Sequence, residues 1–340
     1  ALIVVVIGAL LIIPHFMDAN RYKPELEQYV LEKTGRRLNV DGDVRLSLFP
    51  WAGVAFSGLR LGNPPSFVEK DFLTVKSFDV RVKLWPLLSK QIEVDRLVVS
   101  EPHLWLVTNR DGAVSWEFRA QPAQAKPSVP SEPEPKAGLP IASLLVSELS
   151  VQNGRIRVID HTRGSHREIS ELNLALRDVS FDRPVRLTLS AMANRSPVSV
   201  EGRFGPLGST LGQGLVPLEL SADAFAHLKL KIKGTLENWP VAPLVRVDVE
   251  AAEFSPRGLL AAIETPAPPT ADLKVLERAA LKAHVDADAN AVTVSDAVLI
   301  LDDSKLDLSA KVTDFARPNV TFDLHLDQID MDRYLPPPSK

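Results

Sequence analysis

The sequence predicts a mainly β protein, an elongated antiparallel sheet with one apolar face, behind an N-terminal membrane helix and with few other helices. Three observations predict it. In residues 226–233, Leu228, Leu230 and Ile232 alternate with Lys229, Lys231 and Lys233; in 320–327, Val320, Phe322, Leu324 and Leu326 alternate with Thr321, Asp323, His325 and Asp327. A period of two puts the apolar side chains on one face of a sheet and the charges on the other. The same alternation returns in roughly fifteen segments, against about three with helical spacing. Finally, residues 1–13 read ALIVVVIGALLII, without a charge.

As a helix that first segment is about 20 Å long, short of a bilayer core of about 30 Å. It is expected to be the remainder of a transmembrane anchor over residues 1–20, uncleaved because the flank PHFMDAN offers no small-x-small site. The bulk of the chain would then lie outside the cytoplasm. Residues 22–33 carry Leu26, Tyr29 and Val30 at helical spacing and end at Thr34 and Gly35, which predicts a short amphipathic helix leaving the membrane.

Strands are predicted at 44–49, 54–61, 78–84, 92–99 and 103–109, punctuated by Gly62, Asn63, Pro64, Pro65, Asp111 and Gly112. These make an N-terminal β region over 21–120. Residues 121–140 then hold six prolines and almost no large apolar residue. They cannot bury a core and read as a linker or long loop inserted into one sheet. An internal echo spans the insertion. Val94, Leu97, Val99, Leu104, Leu106 and Gly112 match Val146, Leu149, Val151, Ile156, Val158 and Gly164 at a constant offset of 52, which suggests a repeated hairpin unit.

The sheet is expected to continue over 141–335, with strands at 172–176, 185–192, 197–204, 216–222, 228–233, 245–251, 281–288, 291–301, 306–312 and 320–326. Ser255 and Pro256 form an N-cap and first-turn pair for a helix near 256–264. A second helix is predicted at 272–281, with Leu273, Leu276 and Ala280 on one side. Residues 336–340 are a tail.

At 340 residues the chain is long enough for two ordinary domains or one extended sheet. A net charge of −4, with 39 basic against 43 acidic residues, gives no basic field for nucleic acid. The absence of cysteine removes disulfides, thiolate metal sites and thiol catalysis. Seven histidines stand at 15, 103, 161, 166, 227, 284 and 325, none in HExxH spacing. His161 and His166 flank a polar turn. Asp302-Asp303-Ser304 sits where a hairpin turn favours Asp and Ser. Asp286 and Asp288 share a strand face without the further oxygen ligands of a calcium loop. No GxSxG, GxxxxGK[ST] or strand-GxGxxG-helix occurs, and the glycines of GSTLGQG at 208–214 read as a connection. No cofactor or metal is expected, and no catalytic residue stands out.

What remains is the apolar face, which either packs on a second sheet or is left to bind something apolar. Leu46-Ser47-Leu48-Phe49-Pro50-Trp51, then Leu61-Gly62-Asn63-Pro64-Pro65, then Pro86-Leu87-Leu88, then 102–116 with its Asp111-Gly112 turn, resemble the amino-terminal region of AsmA family proteins. Phe254-Ser255-Pro256, Leu301-Asp302-Asp303-Ser304 and Asp332-Arg333-Tyr334-Leu335-Pro336-Pro337 are similar to later blocks of that family. The resemblance implies an inner-membrane, single-pass, mostly periplasmic protein of the Gram-negative envelope. It also implies a curved, taco-like hydrophobic groove akin to chorein and repeating β-groove proteins, carrying phospholipid toward the outer membrane. A non-enzymatic scaffold for outer-membrane protein assembly is the alternative, with other envelope proteins as partners. The in-phase residues expected to line the groove are Phe78, Val80 and Val82; Leu187 and Leu189; Leu228, Leu230 and Ile232; and Phe322, Leu324 and Leu326. Residues 22–30 are expected to lie where lipid enters.

Overall fold

A computed structural model describes residues 18–48, 51–83, 86, 93–118, 145–180, 182–207, 214–239, 242–315 and 317–337. The apolar segment 1–13, the stretch 121–140 and most of GSTLGQG lie outside the described residues. Among the described residues no helix is long and apolar enough to cross a membrane. Regular structure among the described residues is overwhelmingly β, with sixteen strands, in two compact units that divide after Val179.

The first unit opens with helix α1 (Lys23–Thr34), which has Pro24 in its first turn and is stopped by Gly35 at a left-handed φ of 70°. Glu27 accepts the Val40 N–H at 3.0 Å and ties the helix to strand β1 (Leu38–Val40). Leu26 and Val30 are half-buried, but Tyr29 is 59% exposed with the Lys33 ammonium over its ring. Tyr29 thus lies on the exposed side of α1. Just beyond, Arg36 is 3% exposed and lies over the rings of both Phe72 and Phe118, 4.6 and 4.4 Å from their centroids. Its guanidinium donates to Asn63 Oδ1 and to the carbonyls of Ser115 and Glu117, which anchors the chain leaving the sheet. Desolvation lowers its pKa.

Strands β2 (Arg45–Ser47), β3 (Ala52–Gly62), β4 (Asp71–Val82), β5 (Glu93–Thr108), β6 (Leu145–Asp160) and β7 (Ser165–Val179) complete this unit. Their order is β1-β3-β4-β5-β6-β7, with β2 also on β3. Two expectations are corrected here. Segments 92–99 and 103–109 are one long strand, because Glu101 takes a φ of 46° and the chain passes Pro102 without turning back. In addition, β5 and β6 pair in parallel, so the sheet is mixed and not antiparallel throughout.

The parallel register explains the echo. Val94 lies opposite Val146, Leu97 opposite Leu149, Val99 opposite Val151, Leu104 opposite Ile156 and Leu106 opposite Val158. The constant offset of 52 is the register of two parallel neighbours and not a repeated hairpin. A parallel pair requires a connection of a dozen or more residues, and the sequence between Thr108 and Leu145 is long enough for one.

A line of bulges crosses the same unit. Gly58, Glu101, Asn153 and Glu171 all have left-handed φ, and Lys76, which the ladder skips on both sides, pairs with Glu101. At this line the apolar alternation slips by one residue: Val54 and Phe56 give way to Leu59 and Leu61, Val75 to Phe78, Ile169 to Leu172. An extra residue in each strand at one level resets the phase in all of them, so β3, β4 and β5 stay in register across the line, while β6 and β7 shift at Gly154 and recover by Ile156.

The second unit is an antiparallel meander of β8 (Val185–Ala193), β9 (Ser196–Phe204), β10 (Leu215–Ala224), β11 (Leu228–Glu237), β12 (Leu244–Phe254), β13 (Ala279–Ala287), β14 (Ala291–Leu301), β15 (Ser304–Thr313) and β16 (Asn319–Leu326). Tight turns with positive φ at Asn194 and Arg195, and at Phe225 and Ala226, match the twist of their hairpins. Helix α2 (Pro256–Ala262) starts at Ser255, whose hydroxyl accepts the Gly258 N–H at 3.0 Å. The last described element is helix α3 (Met331–Tyr334).

No helix forms at 272–281. Asp272 closes a local turn by accepting the Lys274 N–H, and Leu276 has a φ of 63°. The N–H groups of Leu276, Glu277 and Arg278 all donate to the Asp302 carboxylate, at 2.7 to 3.1 Å. A carboxylate 24 to 26 residues away thus takes the amides a helix would need, and the chain enters β13 instead.

Candidate functional site: an apolar sheet face

Register decides which predicted residues meet. In the second unit Leu189 lies opposite Val200, Val200 opposite Ala222, Ala222 opposite Leu230 and Leu230 opposite Ala251. The row continues through Leu281, Leu299 and Leu306 to Leu326. Directly opposed residues share a face, so this is one apolar row across nine strands. A second row runs from Phe204 through Leu218, Gly234, Val247, Val285, Val294 and Ala310 to Phe322. Leu187, Leu228, Ile232 and Leu324 fall on the same face by the same pairing.

Three of the four expected sets are therefore brought together. The fourth, Phe78, Val80 and Val82, belongs to the first unit. There Phe78 sits between Phe56 and Val99, and Val80 between Val54 and Leu97, with the two Phe rings 6.3 Å apart. Alternation alone also marked members that were not singled out, such as Val200, Val249 and Leu299. Gly202 and Gly234 carried no such mark. A Cβ at Gly234 would stand 2.0 Å from the Arg246 carbonyl oxygen, and one at Gly202 2.1 Å from that of Glu219. Only glycine lets the strands approach this closely.

Of the nine residues in the first row only Ala251 is fully buried; the others are half-exposed. Among the described residues, cover is confined to one end of the unit. Helix α2, the 264–278 segment and α3 gather where the β8–β9, β10–β11 and β14–β15 turns lie: Ser196 Oγ donates to the Ala262 carbonyl, Arg195 pairs with Glu264, and Arg333 bridges Asp272 and Asp303. Val275, Ala279, Thr270 and Asp302 are buried beneath this cap. At the far strand, Phe322 is 70% and Leu324 49% exposed.

The opposite face is charged. Arg203 pairs with Glu219, Lys282 with Glu250, and Arg246 with Glu237 and Asp286. His284 Nδ1 is 2.8 Å from Asp248, and that hydrogen bond raises its pKa. A concavity of about 650 Å³ lies on this face among Lys231, Lys233, Asp248, Glu250 and His284. Its size suits a small ligand, yet Asp248 is already paired with His284 and Glu250 with Lys282. Among the described residues no group of three or more His, Cys, Asp or Glu side chains is arranged to hold a metal ion. The chemical capacity of the second unit therefore lies in its wide, half-exposed apolar face.

The family model described as AsmA family matches residues 1–261. No curated protein matches the chain.

Proposed function

The chain belongs to the AsmA family, and on that premise we propose that it is an inner-membrane-anchored lipid-transfer protein of the Gram-negative envelope, sheltering phospholipid acyl chains on its way to supplying the outer membrane. One observation carries this reading: apolar rows run unbroken across nine strands, and the described cap covers only one end of them. Each methylene taken out of water contributes about 0.8 kcal/mol. A two-chain lipid therefore gains more from such a face than from any single polar contact, while its head group stays in water. The reading needs no catalytic residue or cofactor. Residues 1–20 supply the anchor, 21–120 and 141–335 the carrier on either side of the 121–140 stretch, and 336–340 a tail.

The test is a photo-crosslinking residue placed at Leu324, Val80 or Lys231 in cells. Phospholipid adducts are expected at the first two positions and not at Lys231, on the charged face. Adducts to polypeptide alone at Leu324 and Val80 would overturn the lipid reading and leave an assembly scaffold.

A further inference from the structure

Strand β11 presents Lys229, Lys231 and Lys233 on the charged face of the second unit. By register Lys231 lies between Ser221 of β10 and Glu250 of β12, and Lys233 between Glu219 and Asp248. Opposite charges facing each other in this way stabilise a ladder by pairing across it. The three carboxylates beside β11 are engaged elsewhere. Glu219 accepts two hydrogen bonds from Arg203 of β9, at 2.7 and 3.1 Å. Asp248 holds the His284 ring of β13 at 2.8 Å, and Glu250 pairs with Lys282 of β13 at 3.6 Å. On both sides, therefore, the ion pairs point away from β11. Lys233 acts on Glu219 as a nearby charge alone. Among the described residues neither Lys231 nor Lys233 has a hydrogen-bonded or ion-paired partner.

Both lysines line the concavity of about 650 Å³. Two residues apart on one strand, they leave the backbone roughly 7 Å from each other, and their long stems let both ammonium groups reach one bound group. Ser221, opposite Lys231, lines the same concavity, and its hydroxyl makes no hydrogen bond among the described residues. We propose that this concavity binds the phosphate of a small, water-soluble phosphomonoester, held by Lys231, Lys233 and Ser221.

The charges choose this class of ligand. Two unpaired cations side by side call for one compact group with two negative charges, and an ammonium recognises phosphate as a point charge. The volume is more than a bare ion fills and lies in the range of small-molecule sites. The far wall selects the rest of the molecule. Asp296, the extra residue of a bulge in β14 with a φ of 48°, lines it together with Asp248 and His284. A second phosphate there would meet carboxylates, so a neutral or cationic remainder is favoured, and an extended polyanion is rejected for the same reason. A phospholipid head group is not the source, because the sheet separates this site from chains lying on the apolar face. The site thus stands independently of what the apolar face carries.

The test is a phosphorus NMR titration of glycerol 3-phosphate with the full chain, purified in uncharged detergent, at constant ionic strength. Saturable binding is expected, weakened several-fold in Lys231→Gln and in Lys233→Gln. Lys229→Gln, which removes the same charge from the same strand outside the concavity, is expected to leave it unchanged. Glu250→Gln releases Lys282 and is expected to tighten binding several-fold, whereas Asp223→Asn, opposite Lys229, has no effect. All five positions are exposed, so each variant should keep the melting temperature of the unaltered chain. Absence of saturable binding overturns the proposal. So does equal weakening by Lys229→Gln, which would mark diffuse attraction of an anion to a basic strand. Phospholipid adducts at a photo-crosslinking residue in place of Lys231 would make a lipid head group the occupant and overturn it as well.

Discussion

A single carboxylate organises the capped end of the second unit. Asp302 is 8% exposed and accepts three backbone N–H groups together with the Tyr334 hydroxyl at 2.7 Å. Burial pushes its pKa up, but the Tyr334 and backbone hydrogen bonds outweigh that and hold it below the ordinary carboxylate value. A depressed folded pKa contributes stability above the unfolded value of about 4, lost as pH falls through the folded value. Tyr334 has the opposite sign: burial, then its bond to Asp302, raises its phenol from 10.0 to about 12. That contribution is complete below about pH 10 and fades as pH rises through the folded value. Asp302→Ala is expected to cost about 2 kcal/mol or more in urea unfolding at neutral pH, since hydrogen bonds to a charged group are involved. Tyr334→Phe is expected to cost about 1 kcal/mol. Spectroscopic titration of the phenol checks the coupling, because Asp302→Asn should return Tyr334 toward its ordinary range with the fold retained. A tyrosine already titrating near 10 in the unaltered protein would show that the bond is not made.

At the scale of strands, the sheet holds its rows together where it has no side chain. Gly234 lies between Leu218 and Val247 in an apolar row, and a Cβ there would meet the Arg246 oxygen and the Val247 Cα at 2.0 and 2.7 Å. Backbone cannot give way as a flexible side chain can, so Gly234→Val is expected to destabilise by about 2 to 3 kcal/mol. The measurement is a chemical denaturation midpoint, with Thr235→Val, one residue along and half-exposed on the other face, as the near-neutral control. Strand positions were legible because alternation is a local signal: β8 to β16 lie almost where their apolar periods put them. What was not legible is non-local. Val94 to Leu106 and Val146 to Val158 give the same pattern whether they repeat a hairpin or pair in parallel, and only their parallel register distinguishes the two. Nor could Leu273, Leu276 and Ala280 reveal that Asp302 takes the amides of their helix. The bulge line was readable in retrospect, as steps of three between apolar residues at Phe56 and Leu59, Val75 and Phe78, and Ile169 and Leu172.

For the molecule as a whole, the decisive matter is whether the apolar face of the second unit is a core or a surface, and one substitution separates the two. Ile232 lies between Leu220 and Val249 in the middle of the face, half-exposed, while its neighbour Lys231 points to the charged side. Were this face closed by a second layer, a glutamate at 232 would be a buried unpaired charge costing several kcal/mol, and the protein would unfold. On an open face the carboxylate keeps its water, and Ile232→Glu is expected to cost no more than about 1 kcal/mol. Its effect falls on the ligand, because a charge now stands where acyl chains would lie. Phospholipid crosslinked at Leu324 should drop several-fold in Ile232→Glu, while Lys231→Gln leaves it unchanged. The two readouts are independent, one reporting the fold and the other the face. A folded Ile232→Glu protein with undiminished lipid capture would move the lipid off this face, and an unfolded one would make the face a core.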